Sequence, residues 1–169
     1  MNSRNAKFPR LQFLARIVSK EIRHLLMTDR RLFSEPFTRE KAGQLEEDLD
    51  LAERVDAFVS RFGRLQDTVG DKLLPQYLDA VGEAVGPAID NLNRAEKLSL
   101  ITSAELWLTL RKLRNEMIHE SMENLDILAG ALNRGHEHVA TLTEDAQRIL
   151  TDLKSRGWVN IEAQMDTHH

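Results

Sequence analysis

The stretch "RKLRNEMIHE", residues 111–120, holds the side chains of this chain best suited to chemistry. Asn115 and His119 lie four residues apart and so share one face of a helix, and Arg114 borders that face. A guanidinium, a carboxamide and an imidazole therefore converge on one small volume. Such a trio suits a phosphodiester. The guanidinium holds a phosphate and stabilises charge developing on it, the imidazole moves protons near neutral pH, and Asn115 orients one of the two. The trio lacks a second proton-transfer group, which a twofold dimer supplies by bringing a second His119 across its interface. Arg111 and Lys112 adjoin it, either as backbone-phosphate contacts or as a solvated shoulder.

On a wheel of about 100° per residue, Leu106, Leu110, Leu113 and Met117 form the core stripe of this helix. Trp107 and Ile118 fall together on one flank, with Arg114 between them and the stripe. The apolar arc is wider than one bundle contact needs, which points to Trp107 and Ile118 at a subunit interface. Arg114 has a simpler alternative, snorkelling or pairing with Asp67 or Glu105. Upstream, Arg61 and Arg64 share a helix face that Asp67 and Asp71 continue. That face reads either as a surface ion-pair ladder or as Arg64 and Asp67 set against the motif helix to buttress Arg114.

The elements that must position these residues are all helical. Apolar spacing predicts a first helix from about Pro9 to Leu26 or beyond, then a connection, "TDRRLFSEPFT", around Pro36. Thr38 caps a second helix to about Val69, carrying Leu45, Leu49, Val55, Phe58, Phe62 and Leu65 on one side, with Gly63 and Gly70 as local weak points. "DKLLPQYLDAVG" is a shorter helix that Pro75 kinks or starts, and Pro87 to about Leu98 forms another. Thr102 or Ser103 caps the motif helix, which ends near Ser121 or Met122. The last helix runs from about Asn124 to Leu153, with Gly130 and Gly135 as soft points and Gly157 as its stop. The expected architecture is an all-α, up-and-down bundle of four to five main helices. It forms one domain over residues 1–169, with roughly the last ten residues as a frayed tail.

Composition narrows the chemistry. The absence of cysteine excludes disulfides, thiolate zinc sites and a cysteine nucleophile, and points to a reducing cytoplasm. No window approaches the roughly 18 apolar residues of a membrane span. His136 and His138 are two apart and point away from each other on a helix, so no metal site is expected. Nor is a cofactor, since no phosphate-cradling glycine loop is present. The net charge of −4 is unevenly spread: residues 1–31 carry eight Lys/Arg against two Asp/Glu. Contact with nucleic acid therefore needs a local basic groove, because the chain has no general positive field.

"RNEMIH", Arg114 to His119, resembles the Arg-x4-6-His signature of HEPN-domain proteins, including the polar residue after the arginine. "RFGRLQDTVGDKLLP", residues 61–75, resembles a segment of the HepT-like members of that family. The resemblance implies a helical bundle that dimerises so that two motifs face a shared cleft. It implies a metal-independent endoribonuclease, often the toxin of a toxin–antitoxin pair with a nucleotidyltransferase-like antitoxin. Arg114 would then stabilise the scissile phosphate and His119 would act as general base or acid while the 2′-hydroxyl attacks. Many HepT-like toxins carry a modifiable tyrosine two positions after the histidine, where this chain has Ser121. The only tyrosine is Tyr77, so neutralisation by masking or at another residue is as consistent with the sequence. A non-catalytic HEPN-like module that binds a partner protein or nucleotide is the alternative.

Overall fold

The computed structural model describes residues 8 to 119 and 124 to 161, with His119 described in its backbone alone. All regular structure among these residues is helical. Helix α1 spans Pro9–Leu32, with Pro9 in the first turn, where its missing N–H costs nothing. It outruns the expected end because Leu25, Thr28 and Leu32 keep the core rhythm and are buried, and the Thr28 hydroxyl bonds back to the His24 carbonyl at 2.9 Å. "TDRRL" is therefore helix, and the connection starts only at Phe33.

The second expected helix is two. The Thr38 hydroxyl accepts from the Lys41 amide at 3.2 Å and starts a short α2, Arg39–Gly43. Asp48 then accepts from the Leu51 amide at 3.1 Å and starts α3, Leu49–Asp67. Leu49 is the first residue of α3 and is 71% exposed, so it does not belong to the core stripe assigned to it. Without a break, α3 passes through a π-helical stretch, Thr68–Leu73, into α4, Leu74–Ala80. There the Leu74 amide reaches back five residues to the Val69 carbonyl, and the wider turn stands directly before Pro75, which has no N–H to give the continuous rod.

Helix α5 spans Ala88–Lys97 and α6 spans Ala104–His119, the latter capped by the Ser103 hydroxyl accepting from the Leu106 amide at 3.1 Å. In α7, Leu125–Ser155, the Asn124 carboxamide oxygen accepts from the amides of Asp126 and Ile127. Gly157, at φ +73°, follows its end in a backbone conformation that glycine adopts freely.

The long helices pack as a ring: α1 on α3, α3 on α6, α6 on α7, and α7 back on α1, with only slight contact between α3 and α7. The core of this ring is filled by side chains such as Leu14, Leu25, Phe58, Phe62, Leu110 and Leu132. Gly135, expected as a soft point of α7, is buried where α3 and α6 come closest. A Cβ there would lie 2.4 Å from the Met117 methyl and 3.3 Å from the Phe58 ring. A methyl there would push the end of the Met117 side chain aside and press on the Phe58 ring. None of the described helices is long and apolar enough to cross a membrane.

Candidate functional site

Arg114 projects from α6 onto α3, where Nη1 donates to both carboxylate oxygens of Asp67, at 2.7 and 2.8 Å. What lets it lie so close is Gly63, one turn before Asp67. A Cβ at that position would stand 2.4 Å from Nε of Arg114 and 2.9 Å from its Cζ, inside the space the guanidinium occupies. Glycine in a helix interior costs about 1 kcal/mol relative to alanine, and the open floor under Arg114 is the packing reason for it here. The guanidinium is pinned in direction by Asp67 and in depth by the backbone of α3. Its Nη2 makes no hydrogen bond among the described residues, so donor capacity remains for a ligand.

The pair stands at one end of a groove of about 900 Å³ between α2, α3, α6 and the start of α7. Arg64 and Arg114, the acids Glu46, Asp56 and Asp67, and Ser60 supply its polar lining, and Leu45, Val55, Val59, Met117, Ile118 and Leu125 supply much of its apolar wall. Arg64 is exposed and donates to the Ser60 hydroxyl at 3.3 Å. Ile118 is 42% exposed. Arg111 binds elsewhere: it pairs with Asp71 of the π-helical stretch at 3.0 Å, one turn back along α6. Lys112 and Asn115 are exposed and do not line the groove. His119 is the last residue of α6, and its side chain, like Ser121, lies outside the described residues.

Trp107 is not at an interface. It is 4% exposed within the single chain, and its indole N–H donates to Asp145 at 2.9 Å. The wheel put it on an open flank because a wheel cannot see α5, which walls that flank with Ala88 and Leu92. Asp145 itself is fully buried and accepts from the Thr102 amide and hydroxyl, from Trp107 and from Arg148, at 2.7 to 3.1 Å.

Three contributors escaped sequence reasoning. Gly63 was noted only as a weak point of its helix. Asp145 gives no local signal. Glu21 of α1 reaches the same α3 face, accepting from the Thr68 hydroxyl at 3.0 Å, while its second oxygen is buried without a partner. Burial pushes the Glu21 carboxyl above its ordinary range, against the opposing pull of the Thr68 bond and of Arg64 and Lys72. His136, weighed earlier for metal, instead meets Asp29 at 2.7 Å and stacks on Phe33. Tyr77 is 2% exposed, and its hydroxyl donates to Asp152 at 2.6 Å. Burial, followed by that acidic neighbour, pushes the phenol up to about 12. Comparisons with protein-family models, with curated proteins and with solved structures find no match to this chain.

Proposed function

We propose that this protein is a metal-independent endoribonuclease of the HEPN type, acting as a homodimer and serving as the toxin of a toxin–antitoxin pair. The observation that carries the reading is the Arg114 guanidinium, pinned by Asp67 over Gly63 in the lining of an open groove, with Nη2 unengaged among the described residues.

In the proposed reaction an RNA phosphodiester lies against Arg114. The imidazole of one His119 takes the proton of the ribose 2′-hydroxyl as its oxygen attacks phosphorus. The P–O5′ bond breaks, and the imidazolium of the partner subunit's His119 protonates the departing 5′-oxygen. The products are a 2′,3′-cyclic phosphate and a 5′-hydroxyl. Arg114 bears the charge that grows on the non-bridging oxygens, an effect worth about 10²–10³ in rate for a single well-placed donor. Asn115, exposed one residue beyond, orients the phosphate or the imidazole. Both proton transfers rest on histidine and need no metal or cofactor. The exposed rim at Ile118 and Leu125 is the surface that the second copy covers.

Neutralisation by a nucleotidyltransferase-like antitoxin is then a matter of masking the groove. Tyr77 is buried and bonded to Asp152, so its hydroxyl is a poor acceptor for a transferred nucleotide. A second reading is a non-catalytic helical module that binds a partner. It draws on the same groove, whose apolar wall suits a partner's side chains, and on Asp67, which already occupies one nitrogen of Arg114. Induced expression in a bacterial host separates the two. Growth arrest that disappears in both Arg114→Ala and His119→Ala is expected of the nuclease. Growth unaffected by the parent chain favours the binding module.

A further inference from the structure

The basic surplus of the first 31 residues is not consumed by the site described above, and its placement gives it a use. Arg16, Lys20 and Arg23 recur at helical spacing on the face of α1 that points away from the core, and all three are exposed. None of them makes a hydrogen bond or ion pair among the described residues, so their charge is uncommitted. The face continues onto α3. Arg61 donates to the His24 carbonyl and to the Thr28 hydroxyl, which fixes it against α1. Arg64 lies close enough, with Lys20, Arg23 and Arg61, to act on the exposed His24 ring, whose pKa is lowered first by burial and then by these four cations.

The acids nearby do little to cancel this. Of the two acids of α1, Glu21 is half-buried under Thr68 and raised by desolvation, and Asp29 is tied to His136 on another side. Asp50 and Glu53 line a pocket together with Arg61, where Arg31 and Arg54 outnumber them with it three to two. The chain is acidic as a whole, yet this strip is cationic along α1 and reaches the groove at Arg64, where Glu46, Asp56 and Asp67 share the lining with Arg64 and Arg114.

We propose that this strip is a track for the phosphate backbone of single-stranded RNA, running along α1 through Arg61 and Arg64 into the groove that holds Arg114. Where the strand leads rests on the ribonuclease reading; that it binds does not. Regularly spaced, unpaired cations suit a chain of phosphates, and Phe13, 46% exposed on the same face with Arg10 beside it, offers a ring on which a base can stack. An anionic membrane fits less well. An interfacial helix needs a free apolar face, whereas Leu11, Leu14, Val18, Ile22 and Leu25 of α1 are already buried in the core.

The test measures binding of a fluorescent single-stranded RNA to the full-length His119→Ala protein, which prevents cutting, across a salt series. In that background the triple exchange Arg16→Gln, Lys20→Gln and Arg23→Gln is expected to weaken binding at least tenfold at low salt. It should also flatten the log–log salt slope by about 2, from roughly 0.7 per lost single-strand phosphate contact. Exchange of Lys97 and Lys154, exposed basic residues in the last turns of α5 and α7, removes two charges away from the track and should leave the slope unchanged. Equal affinity and slope in the triple variant, or no binding of RNA by the starting protein, overturns the proposal. So does capture by vesicles of phosphatidylserine in phosphatidylcholine without capture of RNA. Cleavage by the parent chain that depends on Arg114 while the triple variant binds normally sinks the track alone. Track-dependent binding without any cleavage sinks the ribonuclease reading alone.

Discussion

Helix α6 carries a polar cluster near each end, and the two are built on opposite plans. Near its start, Asp145 is fully buried and its carboxylate takes four hydrogen bonds, two from Thr102 and one each from Trp107 and Arg148. Near its end, Arg114 is 27% exposed in its side chain, holds Asp67 with one nitrogen and keeps another unengaged beside a groove. A closed cluster stiffens a fold, because removing any member strands the rest without water. An open one is weakly stabilising and chemically available. The difference is what singles out the second cluster as the proposed site.

Breaking each cluster should therefore move different observables. Asp145→Ala leaves the Trp107 indole and the Thr102 amide without an acceptor inside the bundle, and it should cost about 3 kcal/mol or more of unfolding free energy by denaturant titration. Arg114→Ala should cost less than about 1 kcal/mol, because the pair it breaks is partly exposed. The same change should lower RNA cleavage by about 10²–10³. A variant that unfolds in the second case, or tolerates the first, erases the contrast.

Gly63→Ala sharpens it, since it removes no functional group. The new methyl claims the volume of the Arg114 side chain, so the guanidinium must shift, while the helix gains up to about 1 kcal/mol in propensity. Cleavage is expected to fall by about tenfold, as a misplaced group costs on that scale, with a thermal midpoint close to that of the parent.

The smallest effect concerns Glu21. Its carboxyl is raised above the ordinary 4.5 by burial, so the folded state holds the proton more tightly than the unfolded chain. The stability it contributes is full below that value and is lost as pH rises through the raised one. Glu21→Gln removes this loss, and stability measured by denaturant between pH 4.5 and 7 should decline less steeply in the variant. An unchanged slope would mean the carboxyl is solvated.

Helix starts were legible because each carries its own chemistry: Thr38, Ser103 and Asn124 accept the amides that a cap must accept. Less legible were features that depend on what lies across the bundle. The break between α2 and α3 hides in residues of acceptable helix propensity, and only Asp48 announces the restart. The π-helical stretch before Pro75 is a response of a continuous rod to a proline, invisible to a period of 3.6. Arg114 and Asp67 were readable as partners from their types, and Arg64 as their neighbour. Gly63 became intelligible only once α6 was seen to cross there. Trp107 was misassigned for the same reason in reverse, because α5 closes a flank that spacing alone leaves open.

The most direct test is cleavage of a single-stranded RNA by the purified protein in excess EDTA, with His119→Ala compared at matched helicity. Cutting that persists in EDTA, leaves 2′,3′-cyclic phosphate ends and vanishes in the variant is expected. Cutting that EDTA abolishes, or that His119→Ala retains, contradicts the assignment of the chemistry to this helix.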